Sequence, residues 1–235
     1  MSQQISTEVR DAILEKPVPF SLNGRFFYLY QPSLGVVMLT ESLLHELKDI
    51  NSTMVANTQQ AILAMCKNNR QTMVRLMAYH TFKQRSEVMD EQKVRKRIKE
   101  LAKMNNAELA TLFAIILQWN TLVGNFIKEF NLDKERRMRE KIQAVKSDSS
   151  NVTFGGKSMY GSLLDYACER YGWALGYVVW GISAVNLNMM IADSIQSVYI
   201  TEKERKQAHI STDGIFIKGD DIKNVREIQR LIKGK

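Results

Sequence analysis

Few residues in this chain are spaced for acid–base, nucleophilic or metal chemistry. His45, His80 and His209 stand far apart, and none has a Cys or His neighbour at metal-ligand spacing. Cys66 and Cys168 each lack an activating signature. Asp165 and Glu169 lie four apart on a helical stretch, which sets two carboxylates on one face; with Arg170 beside them they read as a solvated surface pair. Gly155-Gly-Lys-Ser158 has the outline of a phosphate-binding loop. Such a loop needs a glycine five residues before the Gly-Lys, where this chain has Asn151, and a buried strand leading in, where 145–151 is mostly polar. The stretch therefore reads as a linker. No catalytic residue, cofactor or metal is expected, and the chain is read as a non-enzyme.

Binding chemistry has more to work with. Lys and Arg number 33 against 25 Asp and Glu, a net charge of +8. Lys93, Arg95, Lys96, Arg97, Lys99 and Lys103 crowd one helical stretch, and Lys134, Arg136, Arg137, Arg139 and Lys141 crowd another. Clustered cations of this kind displace counterions from nucleic acid. Acidic residues interleave both runs, however, with Asp133 and Arg137, and Glu135 and Arg139, at the i,i+4 spacing of helix-stabilising pairs. Two solvated helices are the expectation, and a basic helical nucleic-acid-associated structural protein is the alternative. Twelve methionines, among them Met65, Met73, Met77, Met89, Met104, Met189 and Met190, suit either core packing or a surface that accepts varied apolar partners.

These residues must be positioned by helices. Pro17, Pro19 and Pro32 are the only prolines, so the 203 residues after Pro32 carry no helix breaker of that type. Near the start, Val18–Leu22 and Arg25–Tyr30 flank Asn23-Gly24, the dipeptide of a type I′ hairpin turn. The register pairs Leu22 with Arg25, Phe20 with Phe27 and Val18 with Leu29, and puts Phe26, Tyr28 and Tyr30 on the opposite face. Periodicity then predicts helices near 34–50, 54–67, 70–84, 88–104, 106–130 and 132–146, with Asn105 and Glu108 as a capping box. Residues 146–158 read as a linker. Beyond it come helices over Ser158–Tyr171, Ala174–Ile182, Ser183–Tyr199 and 202–209, and an amphipathic tail over 220–233. The fold class is mainly α: a multi-helix bundle with a small N-terminal β-hairpin. The expected division is 1–145, a 146–158 linker, and a C-terminal helical region over 159–235.

Two cysteines 102 positions apart are no disulfide framework, and the N-terminus lacks the basic and apolar regions of a signal peptide. The apolar stretch Trp173–Ile195 is broken by Gly176, Gly181, Asn186 and Asn188, which disfavours a membrane span. A cytoplasmic protein without membrane contact is expected.

Tyr166-Ala-Cys-Glu-Arg-Tyr-Gly-Trp173, then Tyr177-Val-Val-Trp-Gly-Ile182 and Asn186-Leu-Asn-Met-Met-Ile-Ala-Asp193, read as a helix ending at an aromatic-Gly-Trp corner, a short helix and a longer one. This succession resembles the carboxy-terminal part of tail assembly chaperones of long-tailed bacteriophages and prophages. The hairpin followed by Tyr30-Gln-Pro-Ser-Leu-Gly35 and a helix resembles their start. The basic middle, Gln84 to Val145, is longer than that pattern.

The resemblance implies a non-enzymatic protein of the bacterial host cytoplasm. It would hold a tape-measure protein, a long aggregation-prone helical rod, while tail subunits polymerise around it. Other tail proteins and further copies of the chain are the remaining expected partners, and no cofactor is implied. No binding residue is carried over from the family. The aromatics and methionines of the corner supply the expected partner-binding set: Tyr171, Trp173, Tyr177, Trp180, Met189 and Met190. A tryptophan beside glycines also makes a packed corner, so Trp180 has a structural reading as well.

Overall fold

The computed structural model describes residues 6–47, 59–146, 157–195 and 197–210. Twelve helices and one two-stranded antiparallel hairpin form among them, so the chain is mainly α, as expected. The predicted tail over 220–233, the start of the helix at 54–58 and most of the 146–158 linker lie outside the described residues. Two compact units are present: residues 1–133 with 153–195, and residues 134–152 with 196–235.

The first unit begins with α1 (Thr7–Ile13), capped by Ser6, followed by β1 (Val18–Leu22) and β2 (Arg25–Leu29). Asn23 and Gly24 both take positive φ (50° and 74°), as a type I′ turn demands, and the register is the predicted one, with Phe20 opposite Phe27 and Val18 opposite Leu29. Leu29 and Phe27 are buried, while Phe26 and Tyr28 face outward. An isolated hairpin is marginal in water, and here the covered face is sealed by a cation. The Arg97 guanidinium sits 4.8 Å from the Phe27 ring centroid and 4.7 Å from that of Phe82.

Helices α2 (Leu34–Glu46), α3 (Gln59–Asn68), α4 (Arg70–His80), α5 (Arg85–Val88) and α6 (Glu91–Leu101) lead to α7 (Asn106–Glu129); α3 and α4 pack on α7, α2 and α6 on α4, and α5 on α6. Asn105 and Glu108 close the predicted capping box on α7. Its 24 residues bury Leu109, Leu112, Phe113, Ile116, Trp119, Leu122 and Phe126 in the main core, against α1, α3, α4 and α11 (Ala184–Ala192). Among the described residues, α7 is the one helix long and apolar enough to cross a membrane by composition. Its apolar residues are instead the spine of this core. The stretch read as a possible span, Trp173–Ile195, is divided between α10 (Leu175–Trp180) and α11.

Several helices stop short of their predicted ends. The helix expected to reach residue 84 ends at His80, whose carbonyl accepts the Tyr30 N–H at 2.8 Å, and the Thr81 hydroxyl turns back to the Ala78 carbonyl at 2.7 Å. The helix expected to reach Tyr199 ends at Ala192; beyond it the Ile195 carbonyl is held at 2.5 Å by the Arg170 guanidinium. Gly181 closes α10, and Ser183 caps α11 two residues later.

Residues 159–195, expected in a C-terminal region of their own, belong to the first unit. Helix α9 (Met159–Tyr171) packs on α10, α10 on α2, and α11 on α7 and α1. Sequence order does not carry this information, because the contacts with α1, α2 and α7 join segments far apart in the chain.

The second unit contains α8 (Leu132–Val145) from Lys134 onward, and residues 197–210 with α12 (Glu202–Gln207). Ile142, Ala208 and Ile210 form its small core, with Met138, Val145 and Ile200 packed around them. Thr201 and Glu204 make the expected capping box.

Candidate functional site

The aromatic-Gly-Trp corner is built from the end of α9. Gly172 takes φ 64° as its left-handed C-cap and donates its N–H to the Cys168 carbonyl at 3.0 Å, a conformation that costs a side-chain-bearing residue free energy. The reversal stacks the rings on either side. Tyr171 and Trp173 centroids are 4.8 Å apart, Trp173 and Tyr177 meet edge-on at 5.1 Å, and Tyr166 meets Tyr171 edge-on at 6.5 Å. Gly181 is required here too: a Cβ would lie 2.3 Å from the Tyr177 ring. The Tyr171 hydroxyl donates to the Met190 carbonyl at 3.1 Å and ties the corner to α11. Desolvation and the neighbouring Tyr166 phenol push the Tyr171 phenol up, against the lowering effect of Arg170.

Beside this corner lies an open groove of about 520 Å³. Tyr171 from α9, Ile182, Met189 and Met190 from around α11, Phe126 from α7 and Ile13 from α1 give it an apolar wall. Asn186, Arg170 and Asp193 supply polar groups, and Ile195, with 81% of its surface exposed, stands at the edge. Of the six residues expected to bind a partner, Tyr171, Met189 and Met190 line the groove. Trp173 and Tyr177 continue the ring stack outward from Tyr171, Tyr177 half exposed. Trp180 points elsewhere. Its ring packs with Val36, Phe82 and Val88 and lies so close to α2 that a Cβ on Gly35 would come within 2.6 Å of it. Met189 touches the groove but is 2% exposed and belongs mainly to the core.

Sequence reading did not find Ile13, Phe126, Ile182 or Ile195. Ile13 and Leu14 carry the one available signal, exposed apolar residues at the end of a short capped helix, and it is weak. Phe126 falls in the core stripe of α7 and looks like any other core residue.

The mouth of the groove is fixed by a polar knot. Glu15 adopts φ 49°, and its carboxylate accepts the Ser183 N–H at 2.7 Å and the Asn186 side-chain amide at 3.1 Å. Asn186 also donates to the Ile13 carbonyl at 3.0 Å, and the Ala184 N–H reaches the Pro32 carbonyl at 2.8 Å. These bonds hold α1, the residues before α2 and the start of α11 together.

The residues weighed for reactive chemistry are scattered. His80 is buried, its ring 6.4 Å from that of Trp119, and burial pushes its pKa down to about 4, with a smaller opposing effect from the Tyr30 backbone. Cys66 is fully buried, and desolvation pushes its thiol up to about 11, against a weaker effect of Arg70. Asp165 and Glu169 are exposed, as read. Among the described residues no group of three or more His, Cys, Asp or Glu is placed to hold a metal ion. Ser158, the last residue of the phosphate-loop lookalike, caps α9 through the Gly161 N–H. The cations of α6 are largely engaged: Lys93 with Asp90, Arg95 with Glu91, and Arg97 with Glu100. On α8 the ion pair formed by Arg136 and Glu140 spans 3.1 Å, at an i,i+4 spacing like the pairs predicted there.

No protein-family model, curated protein or solved structure matches this chain.

Proposed function

We propose that the protein is a tail assembly chaperone of a long-tailed phage or prophage, which binds the tape-measure protein and keeps it soluble during assembly. The observation that supports this reading is the groove between α1, α7, α9 and α11. A helical rod presents apolar residues at i, i+3, i+4 and i+7, and a groove of about 520 Å³ with an apolar wall accepts one such face at a time. Met190 is the adaptable part of that wall, since an unbranched thioether can repack against successive, dissimilar segments. Tyr171, held by its stacking on Trp173, is the rigid part. A chaperone for a long rod needs this combination, because each copy meets a different stretch of its client.

The protein acts without a cofactor, in the cytoplasm of the bacterial host. Cys66 and Cys168 are both free thiols, which accords with a reducing compartment. Several copies coat one rod, with other tail proteins as further contacts. Co-expression with a tape-measure fragment, followed by pull-down and size-exclusion chromatography, tests the reading. The fragment should become soluble and co-elute with the chaperone. An insoluble fragment with no co-elution would refute it.

A further inference from the structure

The second unit carries a different surface. Its described residues hold nine Lys and Arg against four Glu, so much of the chain's positive charge is concentrated there. Three of those four carboxylates face cations outside the groove: Glu140 pairs with Arg136, Glu202 with Arg205, and Glu204 with Lys146. On the opposite side of α8, Lys134, Arg137 and Lys141 follow at spacings of three and four residues, which places them on one face. With Met138, His209 and Ile210 they line a groove of about 290 Å³, and among the described residues no carboxylate lines its wall. His209 is delivered there by a left-handed backbone turn at φ 51°, just after α12. Lys134, Arg137, Lys141 and His209 are all exposed, and Ile210 and Met138 give the groove an apolar floor.

We propose that this face of α8 binds the phosphate backbone of a single nucleic acid strand. Seven residues of helix separate Lys134 from Lys141, about 10 Å at a rise of about 1.5 Å per residue. That span reaches about two successive phosphates of one strand. A concave cationic wall over an apolar floor combines attraction for the backbone with apolar contact beneath the strand. On helix α6, the other basic run, Lys93, Arg95 and Arg97 pair with acids, and the exposed Lys96 and Lys99 serve as the comparison.

The test is fluorescence anisotropy of the full chain with a labelled 20-nucleotide single-stranded DNA across a salt series. Binding should weaken steeply with salt, with log affinity falling by about 0.7 per phosphate contact for each unit of log salt concentration. Lys134→Gln with Lys141→Gln should weaken binding about tenfold at low salt and reduce that slope by about 1.4. Lys96→Gln with Lys99→Gln on α6 should leave both unchanged. Equal loss from the two variants, or none from the α8 variant, would overturn the proposal. So would equal competition by polyglutamate, which would make the groove an acidic-peptide site, or displacement by millimolar inorganic phosphate, which would make it a small-anion site. The result is independent of client binding, since the two grooves share no residue.

Discussion

The Glu15 carboxylate accepts the backbone N–H of Ser183 at 2.7 Å, across 168 residues of chain. In an ordinary capping box the third residue of the helix makes this bond. Here that residue is Asn186, whose backbone N–H donates to the Ser183 hydroxyl at 3.1 Å while its side chain donates to Glu15. The box on α11 is therefore completed by a residue of the N-terminal segment, and the Asn186 amide also donates to the Ile13 carbonyl beside the groove.

Replacing Glu15 with Ala leaves the Ser183 N–H and the Asn186 amide without their acceptor in a part-buried site. The expected loss is about 1–3 kcal/mol of stability, as for other hydrogen bonds to a charged group. Ser183→Ala should cost about 1 kcal/mol. Urea denaturation of the two single variants and the double variant checks the coupling, which should make the double loss smaller than the sum.

Gly35 and Trp180 form the second junction. A methyl group at Gly35 would lie 2.6 Å from the Trp180 ring, so Gly35→Ala must displace that ring or separate α2 from α10. The expected cost is about 1–3 kcal/mol, and Gly35→Ala combined with Trp180→Leu should recover part of it. Trp180→Ala alone should cost about 3–5 kcal/mol and disorder α9–α11, visible as lost amide protection there. A folded Trp180→Ala variant of unchanged stability would contradict the packing.

His80 sets an acid limit on the fold. Its pKa is about 4 when folded, against an ordinary 6.5, so the unfolded chain binds the proton more readily. Stability from this group is complete above pH 6.5 and falls as pH drops from 6.5 towards 4. At pH 5 the loss is about 2 kcal/mol. Melting temperature measured over that range should fall less steeply in His80→Phe than in the natural protein.

Cys66 should resist alkylation. Its thiol is fully buried and raised to about 11, so almost no thiolate forms at pH 8. Iodoacetamide labelling read by mass spectrometry should mark Cys66 at an appreciable rate only after the protein is unfolded in urea.

The hairpin was legible to the residue, because Asn23-Gly24 fixes both turn and register. Helix starts were legible at Ser33, Asn105, Ser158 and Thr201, which cap as read or close to it, whereas α1, capped by Ser6, was not read as a helix. Helix ends were less so, since they depend on distant partners, such as Tyr30 at the carbonyl of His80 or Arg170 at that of Ile195. The corner around Gly172 was visible because a glycine between aromatics is a local signal. The groove beside it was not, because Ile13, Phe126 and Ile195 come from three separate segments and are brought together by Glu15 and the α7–α11 packing. Trp180 shows the opposite failure: near the corner in sequence, it packs on α2.

The account rests on the groove as the client-binding surface. Ile13→Asp with Ile195→Asp alters two exposed side chains at that groove, while Phe26→Asp alters an equally apolar but unrelated position, 79% exposed on the outer face of the hairpin. The deciding measurement is the affinity of each variant for a soluble tape-measure fragment, by isothermal titration calorimetry, with circular dichroism to verify folding. The groove variant should lose binding by at least about tenfold, the equivalent of about 1.4 kcal/mol, while Phe26→Asp binds as the natural protein does. A folded groove variant with undiminished affinity would contradict the account.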